Sequence, residues 1–173
     1  LIKEIIDNSI DEFIMGFGKK IKVELVDETI RIRDYGRGIP LSKLEDCVSK
    51  INTGGKYDSQ VFKKSVGLNG VGTKAVNALS ERFQIESIRD NQSLKLLYNR
   101  GEIVEKNESN DLDAKNGTIV EFIPDSEIFK KFSFINDYVE TQMSHYVYLN
   151  SGLSIHYNKR KFYSENGLKD LLV

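Results

Sequence analysis

Apolar residues recur at three- and four-residue steps at Ile2, Ile5, Ile6, Ile10, Phe13 and Ile14, the spacing of a helix that buries one face. Gly16 and Gly18 follow and predict its end. Two alternating runs, KIKVELV at 20–26 and TIRIRDYG at 29–36, are joined through Asp27 and Glu28 and predict an antiparallel hairpin. Ser42, with Glu45 three residues on, has the form of a capping box and predicts a short helix from Ser42 to Ile51. Residues 52–69 are polar and glycine-punctuated, a length at which loops are lids or disordered segments. A second amphipathic helix starts near Gly70. The runs RFQIESIRD, SLKLLYNRG, EIVEKNE and GTIVEFIP then predict a meander of strands, with turns at Asp90–Asn91, Gly101 and Asn116–Gly117. Residues 135–149 have a helical pattern, Leu153–Tyr157 and Lys161–Tyr163 predict a last hairpin, and NGLKDLL starts another helix. The expected architecture is α+β, with helices on one face of a mixed sheet.

Composition narrows the function classes. The 173 residues fit one domain, and 39% hydrophobic with 29% charged residues describes a globular chain. No apolar run approaches the roughly twenty residues of a membrane span, so no membrane role is expected. A single cysteine, Cys47, excludes an internal disulfide, and His145 and His156 stand apart from other soft ligands, which leaves no zinc pattern. A reducing cytoplasm is the expected compartment. Net charge is −1, which gives no broad basic footprint, so contact with nucleic acid is expected elsewhere in a larger protein. The chain opens inside a helix pattern without initiator Met, cap residue or signal peptide, and reads as a fragment.

Three stretches carry candidate chemistry. At roughly 100° per residue, Glu4, Asn8 and Asp11 fall within about 60° on one polar face of the first helix; a solvated surface is the plain alternative. In DYGRGIP, Asp34 ends a strand where Gly36 and Gly38 open a tight bend stiffened by Pro40. A carboxylate there accepts from a flat amino-bearing ring, whose approach the glycines permit; a turn-capping Asp is the alternative. In SVGLNGVGTKAVNALS, residues 65–80, Gly67, Gly70 and Gly72 precede a helix, so backbone N–H groups can converge beside a positive helix end and hold phosphate. The alternative is an ordinary turn.

Together EIIDNSIDE, DYGRGIP, TGGKYD and GLNGVGTKAVNALS resemble, in order and spacing, the nucleotide-binding motifs of the GHKL ATPases. More narrowly they are similar to the ATPase subunits of bacterial type IIA topoisomerases, gyrase B and its topoisomerase IV counterpart. The resemblance runs from residue 1 to about 170, and NGTIVEFIP matches the strand that closes the adenine pocket. It implies a two-layer GHKL (Bergerat) sandwich that binds and hydrolyses ATP with Mg²⁺. Glu4 matches the general base that orients and deprotonates the attacking water, and Asn8 the Mg²⁺ ligand. Asp34 matches the acceptor of the adenine amino group, with Thr118 beside it through a hydroxyl or water. Arg37 matches an arginine over the adenine that pairs with Glu12; Gly38 lets the ring approach, and Ile39 and Pro40 line its apolar side. Lys56 matches the lid lysine that reaches the terminal phosphates. Gly67, Leu68, Asn69, Gly70, Val71 and Gly72 match the bend around the triphosphate, and Lys95 an arginine at the pocket rim.

Lys56, Lys63, Lys64 and Lys74 against the single acid Asp58 make residues 56–74 basic, which suits an anion, although Lys63 and Lys64 read more simply as a solvated loop. The chain has VGLNGVG where bacterial members have GGLHGVG; Asn69 is tolerable where backbone N–H groups hold the phosphates, whereas Val66 implies a different path. A short insert after GRGIP leans toward topoisomerase IV. The resemblance further implies DNA and the DNA-cleaving topoisomerase subunit (gyrase A or its topoisomerase IV counterpart) as partners, homodimerisation on ATP binding, ATP-site inhibitors as ligands, and a nucleoid-associated place in the cytoplasm. An N-terminal arm would precede Leu1 and a transducer domain would follow Val173, so slow turnover is expected of these residues alone. Open alternatives are another GHKL ATPase of the MutL or chaperone kind, and a nucleotide-binding module without turnover.

Overall fold

The structure, a computed structural model, describes residues 1–49, 70–111 and 113–172. The first helix, α1, spans Ile2–Ile14 and buries Ile2, Ile5, Ile6, Ser9 and Ile10. β1 (Lys20–Val26) and β2 (Thr29–Asp34) form the expected hairpin, with Asp27 at φ 55° in the turn. Residues Leu41–Lys43 form a 3₁₀ turn that leads into α2 (Leu44–Val48). Further along, α3 runs Gly70–Ala78 and enters the meander β3 (Ser80–Arg89), β4 (Gln92–Asn99), β5 (Glu102–Ser109) and β6 (Gly117–Pro124). Asp90 and Asn91 both take positive φ, the tight turn whose twist matches the strands it joins. Then come α4 (Asn136–Leu149), β7 (Ser154–Tyr157), β8 (Arg160–Tyr163) and the one-turn α5 (Leu168–Leu171).

One expected element is shorter than its pattern. α2 covers five residues, and Ser42 lies in the turn before it and makes no capping bond. The helix stops because its end is taken by other elements. Asn77 Nδ2 of α3 donates to the Val48 carbonyl at 2.8 Å, Ser49 is extended at ψ 139°, and its hydroxyl is bonded to that of Tyr98 on β4. Local capping chemistry yields here to tertiary partners. The polar stretch 52–69 lies outside the described residues.

The strands make one eight-stranded sheet in the order β5-β4-β3-β6-β2-β1-β7-β8. Every pairing is antiparallel except β1 with β7, which α4 makes possible by carrying the chain back across the sheet. The strands alternate, so that Ile21, Val23, Ile30, Ile32, Phe83, Ile85, Val120 and Phe122 are buried against the helical layer, while the other face stays partly exposed. α1 is fixed by four buried isoleucines, each worth about 1.5–3 kcal/mol of apolar burial, and this rigid seat positions its polar side chains.

Candidate functional site

Asp34 closes β2 on the buried face, 8% exposed, between β6 and α1. Its Oδ1 accepts the backbone N–H of Gly36 at 3.0 Å and of Thr118 at 3.2 Å, and its Oδ2 accepts the Ser9 hydroxyl at 3.3 Å. Burial raises its pKa from the usual 3.8 to about 6, against the lowering effect of the two N–H bonds. Oδ2, with one long bond, keeps acceptor capacity for a donor entering from the helix side. Thr118 meets Asp34 through its main-chain N–H.

The bend after Asp34 is pinned at both sides. Gly38 has φ 79°, and a Cβ there would stand 2.5 Å from the Ile88 carbonyl, so this position requires glycine. Ser87 Oγ donates to the Ile39 carbonyl at 2.6 Å, and Arg89 Nη1 donates to the Gly38 carbonyl at 3.0 Å. Arg37 grips Glu12: its backbone N–H and Nε donate to Oε2 at 2.9 and 3.2 Å, and Nη2 donates to Oε1 at 2.9 Å. Burial alone would raise the Glu12 pKa, but the Arg37 hydrogen bonds and charge hold it below its usual value. The Arg37 guanidinium lies 4.4 Å from the centre of the Phe17 ring. Ile39 and Pro40 stand half-buried on the same bend.

On α1, Glu4, Asn8 and Asp11 are half-buried, not a freely solvated stripe. Asn8 Nδ2 donates to Thr73 Oγ1 of α3 at 2.7 Å, which leaves the amide oxygen without a hydrogen bond among the described residues. Glu4 lies against Gly72, where an added methyl would collide with Oε2. Gly70 and Val71 begin α3 beside it, and Val71 is exposed. Asp11 is held above its usual pKa by burial and by the neighbouring Asp7 and Glu12.

Glu4, Asn8, Glu12, Asp34, Arg37, Gly38, Ile39, Pro40, Gly70, Val71, Gly72 and Thr118 thus gather between α1, the start of α3 and the β2–β6–β3 floor. Lys56, Gly67, Leu68 and Asn69 lie outside the described residues. One lysine is placed otherwise than expected. Lys95 points to the opposite face of the sheet, where it pairs with Glu86 at 3.8 Å, and Arg89 occupies the rim in its place. Lys74 lies within α3, 6% exposed and close enough to Cys47 to influence its thiol.

Sequence reading missed Ser9, Ser87, Arg89 and Thr73. Ser9 carries a visible signal, a hydroxyl four residues after Ile5 and seven after Ile2 on the apolar arc. Ser87 and Arg89 continue the inward alternation of Phe83 and Ile85. A separate cleft of about 720 Å³, lined by Glu24, Asn136, Glu140 and Arg160 among others, sits at the far end of β1 from Asp34. Its Arg160–Glu140 and Tyr157–Asn136 pairs satisfy one another.

Residues 1–128 match the family model described as histidine kinase-, DNA gyrase B- and HSP90-like ATPase. The chain is 55% identical over 172 residues to the B subunit of DNA topoisomerase 4 from Borreliella burgdorferi, covering 99% of this chain and 28% of that protein. It is 39% identical over 168 residues to the B subunit of DNA gyrase from Spiroplasma citri, covering 90% of this chain and 26% of the relative. The fold matches the 43K ATPase domain of Thermus thermophilus gyrase B, solved in complex with an aminocoumarin, with TM-score 0.78 and 29% identity over 98% of this chain and 47% of that one. The chain therefore spans little more than a quarter of the length of these curated relatives.

Proposed function

Because the chain belongs to the family of histidine kinase-, DNA gyrase B- and HSP90-like ATPases, we propose that residues 1–173 are the ATP-binding and ATP-hydrolysing GHKL domain of a type II DNA topoisomerase B subunit. The observation that carries the reading is Asp34: a buried carboxylate with spare acceptor capacity, facing a glycine bend and an arginine already oriented by Glu12. Such a carboxylate suits the amino edge of adenine. Gly38 leaves room for the ring at the backbone, Ile39 and Pro40 offer it an apolar wall, and Arg37 presents its planar guanidinium beside it.

Mg²⁺, when bound, would neutralise phosphate charge while keeping most of its waters, and the amide oxygen of Asn8 fits it as a protein ligand. Glu4 is the general base: held beside the first turn of α3, its carboxylate orients a water and takes its proton. The N–H groups of Gly70, Val71 and Gly72 lie at a helix start, which favours phosphate oxygens. Lys56, Gly67, Leu68 and Asn69 join this set by resemblance alone. In the longer protein, ATP-dependent homodimerisation would gate DNA passage beside a DNA-cleaving partner of the gyrase A kind. That protein would work in the cytoplasm and accept ATP-competitive inhibitors.

Calorimetric titration of ADP into the purified chain and into Asp34→Asn tests the reading. The substitution should weaken binding by about tenfold to a hundredfold, the worth of a hydrogen bond to a charged group. Equal affinity in a folded variant would overturn it.

A further inference from the structure

The net charge of −1 averages over two unlike surfaces. On the sheet face turned away from the helices, the register sets Arg33, Lys22, His156 and Lys161 directly opposite one another across β2, β1, β7 and β8. Lys20 extends this row two residues along β1. Two tyrosines frame it. Lys20 Nζ and the Arg33 guanidinium lie 4.8 and 4.5 Å from the Tyr35 ring, and Lys161 Nζ lies 5.4 Å from the Tyr163 ring.

Among the described residues, none of Lys20, Lys22, Arg33 and Lys161 has a carboxylate within ion-pair distance. Arg33 is held in place: its Nη2 donates to the Lys115 carbonyl at 2.6 Å, and its Nη1 is buried without a hydrogen-bond partner among the described residues. Burial first, then Lys20, Lys161 and Lys22, lowers the pKa of His156, so the charges act on one point. The other half of the same face is balanced: Arg31 and Arg82 share Glu121, and Lys95 has Glu86. On β1 the row ends at Glu24, two residues beyond Lys22 on the same face. Like charges opposed across strands weaken a sheet, so a row of them without counter-charge is suited to an external polyanion.

We infer that this open face, across β2, β1, β7 and β8, binds the phosphate backbone of duplex DNA. At about 4.8 Å between strands the row spans roughly 14 Å, enough to meet several successive phosphates, and the tyrosines add donors at its border. Sequence readout is not expected from a flat face that enters no groove. The inference does not rest on the nucleotide reading, since Asp34 lies on the opposite face of β2.

Fluorescence anisotropy of a duplex of about 20 base pairs and mixed sequence, titrated with the purified chain between about 50 and about 200 mM salt, tests it. With four cations engaged, log K should fall against log salt with a slope of about −3 to −4. Lys22→Gln with Lys161→Gln should lower the steepness by about 2 and weaken binding at low salt by about tenfold or more. Removing opposed charges should leave the melting temperature unchanged or higher and ADP binding intact, which separates lost contact from lost fold. The inference fails if the double variant binds duplex as before, or if Arg82→Gln with Lys95→Gln loses as much. It also fails if phosphatidylglycerol vesicles or polyglutamate bind more tightly than DNA and are lost in the same variant.

Discussion

Glu12 and Arg37 are joined by three hydrogen bonds, at 2.9, 3.2 and 2.9 Å, that tie the last turns of α1 to the bend after β2. The pair is partly exposed, at 40% for the arginine side chain and 21% for the glutamate, so its worth to stability is small, about 0.5–1 kcal/mol. Its effect on the site should be larger, because the carboxylate fixes the plane of the guanidinium. Glu12→Gln and Arg37→Ala should each weaken ADP binding about threefold to tenfold, and the double variant should lose little more than either single one. Calorimetry on the four proteins measures this; additive losses would mean that the two side chains act separately.

Asp34 predicts a pH dependence with a definite sign. Its folded-state pKa of about 6 exceeds the usual 3.8, so the folded chain holds this proton more tightly than the unfolded one. Without ligand, stability from this group is full below about 3.8 and declines as pH rises through about 6, by an amount on the order of 2–3 kcal/mol. A ring amino group needs the ionised carboxylate as acceptor, so ADP affinity should fall as pH drops below about 6, approaching tenfold per pH unit. Asp34→Asn should flatten both profiles between about pH 4 and about pH 7. Calorimetric titrations across that range, with thermal melts beside them, check the sign.

Elements carried by periodicity are legible in the sequence. The buried arc of α1, the β1–β2 hairpin and the meander from β3 to β6 follow the apolar spacing closely, because there the local pattern and the tertiary burial agree. Ser42 misleads because a capping box is a local signal, whereas α2 is ended by contacts of Asn77 and Ser49 that lie outside the helix. Strand alternation explains the two rim residues: Arg89 shares the face of Ser87, and Lys95, opposite Glu86, cannot reach it. The motifs locate Glu4, Asn8, Glu12, Asp34 and Arg37, but not the bonds that hold Asp34. Its partners at Thr118 and Gly36 are backbone groups, which side-chain motifs do not encode. Nor does a sequence show the parallel β1–β7 pairing, which alone brings Lys22 beside His156.

Gly38 should tolerate no side chain. Its φ of 79°, and the Ile88 carbonyl 2.5 Å from where a Cβ would stand, leave alanine both strained and crowded against backbone that β3 holds fixed. Gly38→Ala should cost about 1–3 kcal/mol in chemical denaturation and move the Ile39 and Pro40 wall enough to reduce ADP binding at least about tenfold. Unchanged stability would show that the bend relaxes freely, and the pinning by Ser87 and Arg89 would then be of little consequence.

Glu4 should matter for turnover and not for binding, since the role proposed for its carboxylate begins when water attacks. The nearest test of placement is its neighbour: an alanine at Gly72 would collide with Glu4 Oε2 and push the carboxylate from the first turn of α3 while leaving its charge in place. In a chain extended to the length of its relatives, Glu4→Ala should lower phosphate release by at least about a hundredfold with the affinity for a non-hydrolysable ATP analogue nearly unchanged. Gly72→Ala should lower phosphate release about tenfold or more, because a base displaced by about an ångström no longer aligns the water. Glu4→Gln separates geometry from proton transfer, since it keeps the shape and loses the base. If Glu4→Gln releases phosphate at the parent rate, the carboxylate takes no proton, and Glu4 is a positioning side chain at the α1–α3 contact.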